Sequence, residues 1–80
     1  MYDINDPKTI EKTKELDKYI DKDITLSYED KDALVGIKFT NEPAIFKGYR
    51  FMNDDLYIDC FVKCFNGQML MKVDYCEIKE

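Results

Sequence analysis

The stretch LYIDCFVKCFNGQMLMKVDYCEI, residues 56–78, decides the fold. Apolar side chains recur at every second position on both sides of Asn66-Gly67, as they do in two strands joined by a tight turn. Asn-Gly suits that turn because both central positions of a type I′ hairpin need positive φ. A two-residue loop sets Cys64 opposite Met69, Val62 opposite Met71, Cys60 opposite Val73 and Ile58 opposite Tyr75. That face is apolar throughout. The reverse face of the same pairing sets Asp59 against Asp74, Phe61 against Lys72 and Lys63 against Leu70.

Moving toward the N-terminus, Asn53-Asp54-Asp55 breaks the pattern and Ile45–Met52 alternates before it. An even-length turn there puts Phe51 opposite Leu56, Tyr49 opposite Ile58, Arg50 opposite Tyr57 and Phe46 opposite Phe61. The expected core is therefore Ile45, Tyr49, Phe51, Leu56, Ile58, Cys60, Val62, Cys64, Met69, Met71, Val73 and Tyr75. Val35, Ile37 and Phe39 form an earlier strand, ended by Asn41-Glu42-Pro43, and Ile24, Leu26 and Tyr28 form the first. A four-residue loop at 41–44 would leave Phe39 and Ile45 on opposite faces, so a bulge or an odd-length loop is expected. Short turns between five successive strands leave no room for crossovers, which predicts an antiparallel meander over residues 23–80.

Residues 1–22 read differently. Asp6-Pro7 is an N-cap followed by proline at the first helical position. Lys8–Lys22 contains neither Gly nor Pro, and Ile10, Leu16, Tyr19 and Ile20, with Thr13, make a thin stripe at roughly helical spacing. The fold class expected is α+β in one domain spanning 1–80: an amphipathic helix, then a strongly bent five-stranded antiparallel sheet. Gly36 and Gly48 inside strands mark where such a sheet bends. The spacing of Leu34-Val35-Gly36-Ile37-Lys38-Phe39 and Phe46-Lys47-Gly48-Tyr49 resembles the opening of an Sm-like or SH3-like small barrel. That resemblance implies a fold only, because the RNA-contacting motif of the Sm family is absent.

With 80 residues, no His and no Trp, the chain lacks the commonest general base, the commonest metal ligand and every His-activated nucleophile. Cys60 and Cys64 lie about 13 Å apart along a strand, too far to share one ion, and three cysteines without His cannot complete a zinc set. No cofactor, metal or catalytic residue is expected, and the thiols read as small core hydrophobes of a reducing cytoplasm. Nothing in the sequence reads as a signal peptide, and the longest apolar run, Ala33–Ile37, is far short of the roughly 20 residues of a membrane span.

The formal charge of −5, with Arg50 the sole arginine, weighs against direct nucleic-acid binding. Residues 1–32 hold ten acids against six lysines, and residues 33–80 hold seven acids against five lysines and Arg50. That front-loaded charge is either a solvated coat or a face for a basic partner. The candidate site combines Arg50, Tyr57, Asp59, Phe61, Lys63, Lys72 and Asp74 on one sheet face with two acidic tips. The tips are Glu29, Asp30 and Asp32 in one turn and Asp54 and Asp55 in another. Asp59 facing Asp74 is the one pairing that breaks cross-strand rules.

Tyr and Arg are enriched at protein interfaces, which favours a small interaction protein that binds and blocks a partner with a basic surface. The Lys-over-Arg bias with abundant Ile, Asp, Asn and Tyr is what an AT-rich genome yields. That composition suggests a phage inhibitor of a host defence system, anti-CRISPR-like, acting in the host cytoplasm by steric and electrostatic blockade. The alternative is a small-barrel binder of a nucleotide, oligonucleotide or signalling ligand, working as a homo-oligomer with a strand edge paired between copies.

Overall fold

The helix begins where the sequence places it. Asp6 accepts a hydrogen bond from the Lys8 N–H at 2.9 Å, and Pro7 opens helix α1, Pro7–Asp17. The structure, a computed structural model, describes residues 2–31, 34 and 36–80. α1 stops at Asp17, short of the expected Lys22, because the chain is tied to the sheet just beyond it. Asp21 takes a left-handed φ of 63° and donates its N–H to the Phe46 carbonyl at 2.7 Å. Lys22 in turn accepts from the Phe46 N–H at 3.0 Å. Leu16 is fully buried, whereas Ile10 and Ile20 are exposed, so the expected stripe docks by its middle only.

Five strands follow: β1 Asp23–Glu29, β2 Lys38–Met52, β3 Asp55–Val62, β4 Gly67–Lys72 and β5 Cys76–Lys79. They form one antiparallel sheet in the order β4-β3-β2-β1-β5. The α+β reading, one helix and then a five-stranded antiparallel sheet, is what the structure shows. The path of the last strand differs from a pure meander: β5 pairs with β1, Leu26 opposite Ile78, instead of with β4. A 3-10 turn, Val73–Tyr75, carries the chain from one edge of the sheet to the other. The sheet is not closed into a barrel, since β4 and β5 are its two edges.

β2 is the long strand, and it absorbs two extra residues. The first lies near Asn41, whose φ of 52° and N–H bond to the Ser27 hydroxyl at 2.9 Å mark a bulge against β1. The irregularity expected around Asn41–Ala44 is therefore there, but the chain continues through Asn41-Glu42-Pro43 as a strand. Proline is tolerated because β3 starts pairing only at Ala44, leaving β2 an open side at Pro43. Val35, assigned to a separate strand in the sequence, lies outside the described residues, and Gly36 and Ile37 precede β2.

The second extra residue is Lys47, between Phe46↔Cys60 and Gly48↔Asp59. It reverses which β2 residues face inward. Phe46 is fully buried, whereas Ile45, expected in the core, is half-buried on the other face opposite Phe61. Beyond the bulge the expected pairs hold: Tyr49↔Ile58, Arg50↔Tyr57 and Phe51↔Leu56. Asn53 and Asp54, both at positive φ, close a two-residue hairpin turn. Phe51, however, keeps 37% of its surface exposed, so it is a rim residue instead of a core one.

The Asn66-Gly67 hairpin is longer than the sequence implies. A 3-10 turn, Lys63–Phe65, precedes Asn66, and the pairs are Cys60↔Met69, Ile58↔Met71 and Tyr57↔Lys72. The register is displaced by four residues, an even number, so each side chain keeps its face while its partner changes. Cys64 is corrected from core to exposed, and Lys63 leaves the strand. The core consists of Leu16, Ile24, Leu26, Phe39, Ala44, Phe46, Leu56, Ile58, Cys60, Val62, Met71 and Val73. Burial holds the thiol of Cys60 up at about 12.

Candidate functional site

Cross-strand pairing builds the site in three rows on the outer side of β2, β3 and β4. Ile45, Phe61 and Gln68 form the first row, Gly48, Asp59 and Leu70 the second, and Arg50, Tyr57 and Lys72 the third. Paired residues share a face, so all nine positions lie on one side of the sheet. The inner side carries Phe46-Cys60-Met69 and Tyr49-Ile58-Met71.

α1 packs on that inner side. Tyr19 meets the Phe46 ring at 6.2 Å between centroids, and the Tyr49 hydroxyl donates to Asp17 at 2.7 Å. The outer face is therefore left without the helix over it. Tyr57, Asp59 and Phe61 are half-buried among their row neighbours, and Arg50, Gln68 and Leu70 are exposed.

Charges on this face are paired along it. Arg50 Nη2 lies 3.5 Å from Asp59 Oδ2, a partly exposed pair whose contribution to stability is about 0–1 kcal/mol. Asp59 faces Leu70, not Asp74, so the expected like-charge pairing does not form. Asp74 sits in the 3-10 turn before β5 and is exposed. Phe61 faces Gln68 instead of Lys72, and Phe46 has left the face for the core. Lys63 pairs with Asp23 at 3.1 Å, and Asp23 stands opposite Ile45, so that ion pair borders the first row.

The acidic tips divide. Asp54 is exposed in its turn, but Asp55 is buried, accepting from the Tyr2 and Leu56 N–H groups at 3.0 and 2.8 Å. Asp55 therefore anchors the N-terminal segment and is not a surface tip. Glu29 ends β1 and lies 3.9 Å from Lys38. The Asp30 N–H donates to the Ile37 carbonyl at 3.2 Å. Asp32 lies outside the described residues.

Three tyrosines distant in sequence, Tyr28, Tyr57 and Tyr75, converge with Asp30, Leu70 and Lys72 on a cleft of about 260 Å³. Lys72 Nζ lies 5.7 Å from the centre of the Tyr75 ring. Alternation alone does not reveal Tyr28 or Tyr75 as members, because only the crossing of β5 to β1 brings them beside β3. Burial raises the Tyr28 hydroxyl from its ordinary 10.0 to about 12, helped by the charge of Asp30, by Cys76 and by the hydrogen bond to Asp30.

The fold thus favours the protonated phenol. Its stabilising contribution is complete below pH 10 and is lost as pH rises through 10 toward 12. Titration of phenolate absorbance is expected to show a late-ionising tyrosine near pH 12 that Tyr28→Phe removes. A Tyr28→Phe curve identical to the wild type would contradict this placement.

Among the described residues no group of three metal-ligating side chains occurs, and no helix is long and apolar enough to cross a membrane. Compared with known protein families, curated proteins and solved structures, the chain matches none.

Proposed function

We propose that this chain is a non-catalytic binding protein that docks the outer face of β2, β3 and β4 onto a protein partner with a basic surface. One observation carries the reading: a face bearing Arg50, Tyr57 and Phe61 stands on the side of the sheet opposite the helix. Aromatic and arginine side chains in that setting supply the anchors of protein interfaces. The net charge of −5 biases the choice of partner toward basic surfaces and speeds encounter with them. The reading extends to a phage-encoded inhibitor of a host defence system, anti-CRISPR-like, that occupies a basic groove in the host cytoplasm.

Site-specific photocross-linking in cells tests it. Cross-linkers at positions 57, 61 and 70 should trap one and the same protein, and cross-linkers at Ile10 and Glu11 on the helix should not. Trapping from the helix alone, or from no position, overturns the reading.

A second reading, a ligand-binding homo-oligomer, is favoured by the two open sheet edges, β4 and β5. It requires self-association at micromolar concentration. A sedimentation profile of monomers alone would remove it.

A further inference from the structure

We infer that the cleft between Tyr28, Tyr57 and Tyr75 receives a cationic side chain, a guanidinium or ammonium group, presented by the partner. The inference rests on the docking reading above and names what one part of that surface recognises. Aromatic faces attract cations through the ring quadrupole, and one ring here already does so: Lys72 Nζ stands 5.7 Å from the Tyr75 centroid. Asp30, on the same cleft, supplies the opposite charge. It is held in place by a hydrogen bond from the Tyr28 hydroxyl.

The rings come from β1, β3 and the turn before β5, so their spacing is set by the sheet and not by one mobile loop. At about 260 Å³ the cleft is smaller than the roughly 300–1,000 Å³ of pockets that enclose whole small molecules. It suits a single side chain held by a larger partner. Lys72 is then the resident cation that the incoming one displaces.

Titration of the full chain with acetyl-Gly-Arg-Gly-amide, followed by amide and tyrosine-ring NMR shifts, tests this against the Gln-containing peptide of the same length. The arginine peptide alone should give saturable shifts at Tyr28, Tyr57 and Tyr75. Tyr75→Leu, which lies outside the strands, and Asp30→Asn should each weaken binding about 3- to 10-fold. Lys72→Met should strengthen it about threefold, because the resident cation is gone.

Equal shifts from both peptides, or none, overturn the inference. So does weaker binding by Lys72→Met together with the same shifts from inorganic phosphate, which would make the cleft an anion site. Tyr57 and Leu70 line the cleft, so the docking reading is probed apart from it at Arg50 and Phe61, and either can fail alone.

Discussion

Phe46→Ala is expected to cost about 3–5 kcal/mol, the range for deleting a fully buried phenylalanine. Phe46 has no exposed surface, contacts the Tyr19 ring, and exchanges backbone hydrogen bonds with Asp21 and Lys22 at the junction between helix and sheet. Small domains are stable by about 5–15 kcal/mol, so this one change removes a large share. At about 4–8 °C per kcal/mol for a domain of this size, the melting temperature should fall by roughly 12–40 °C. Phe51→Ala is the matched control. Phe51 keeps 37% of its surface exposed, and its truncation should cost about 1 kcal/mol.

The contrast follows from the extra residue at Lys47. If β2 alternated without interruption from Tyr49 back to Ile45, then Ile45, Tyr49 and Phe51 would line the core and Phe46 would face outward. Denaturant unfolding of the two alanine variants separates these arrangements. A larger loss for Phe51→Ala than for Phe46→Ala would contradict the bulge.

That pair also shows what was legible in the sequence and what was not. Alternation identifies strands because side chains switch faces with period two, and it located β3, the Asn53-Asp54 turn and the pairs from Tyr49 to Phe51. It cannot see a bulge, whose extra residue shifts the parity of everything beyond it. The insertion at Lys47 turns Ala44 and Phe46 inward, and the one near Asn41 returns Phe39 to the inner face.

Asn66-Gly67 marks the hairpin correctly, yet Lys63–Phe65 coil into a 3-10 turn before it, so the loop is longer than the dipeptide implies. Because that displacement is even, Tyr57, Asp59 and Phe61 kept their face, and with Arg50 the centre of the candidate site survived. What was lost were partners: Asp59 with Asp74, Phe61 with Lys72 and Phe46 with Phe61. The placement of β5 beside β1 was not legible either, because apolar alternation runs on through Met71, Val73 and Tyr75 as one strand, and the turn at Val73–Tyr75 that ends β4 leaves no mark in that pattern. Tyr28 and Tyr75 join Tyr57 through that crossing alone.

The second large effect concerns binding. Arg50→Ala combined with Phe61→Ala removes the aromatic anchor of the first row and the guanidinium of the third. Interface anchors of these types cost about 2–4 kcal/mol each when truncated, and their losses add only in part, so a loss of about 100-fold or more is expected. Stability should change far less. Arg50 is exposed, its ion pair with Asp59 is worth about 0–1 kcal/mol, and Phe61 lies outside the buried core. Ile10→Asp, on the exposed side of α1, alters the surface by a comparable amount away from the outer face.

The most direct measurement is therefore the affinity of the cross-linked partner, once purified, for the wild type, the Arg50→Ala/Phe61→Ala variant and Ile10→Asp, each with its melting temperature. The double variant is expected to lose about 100-fold or more while still folded, and Ile10→Asp to bind as the wild type does. Undiminished binding by a folded double variant, or an equal loss from Ile10→Asp, would contradict the docking reading.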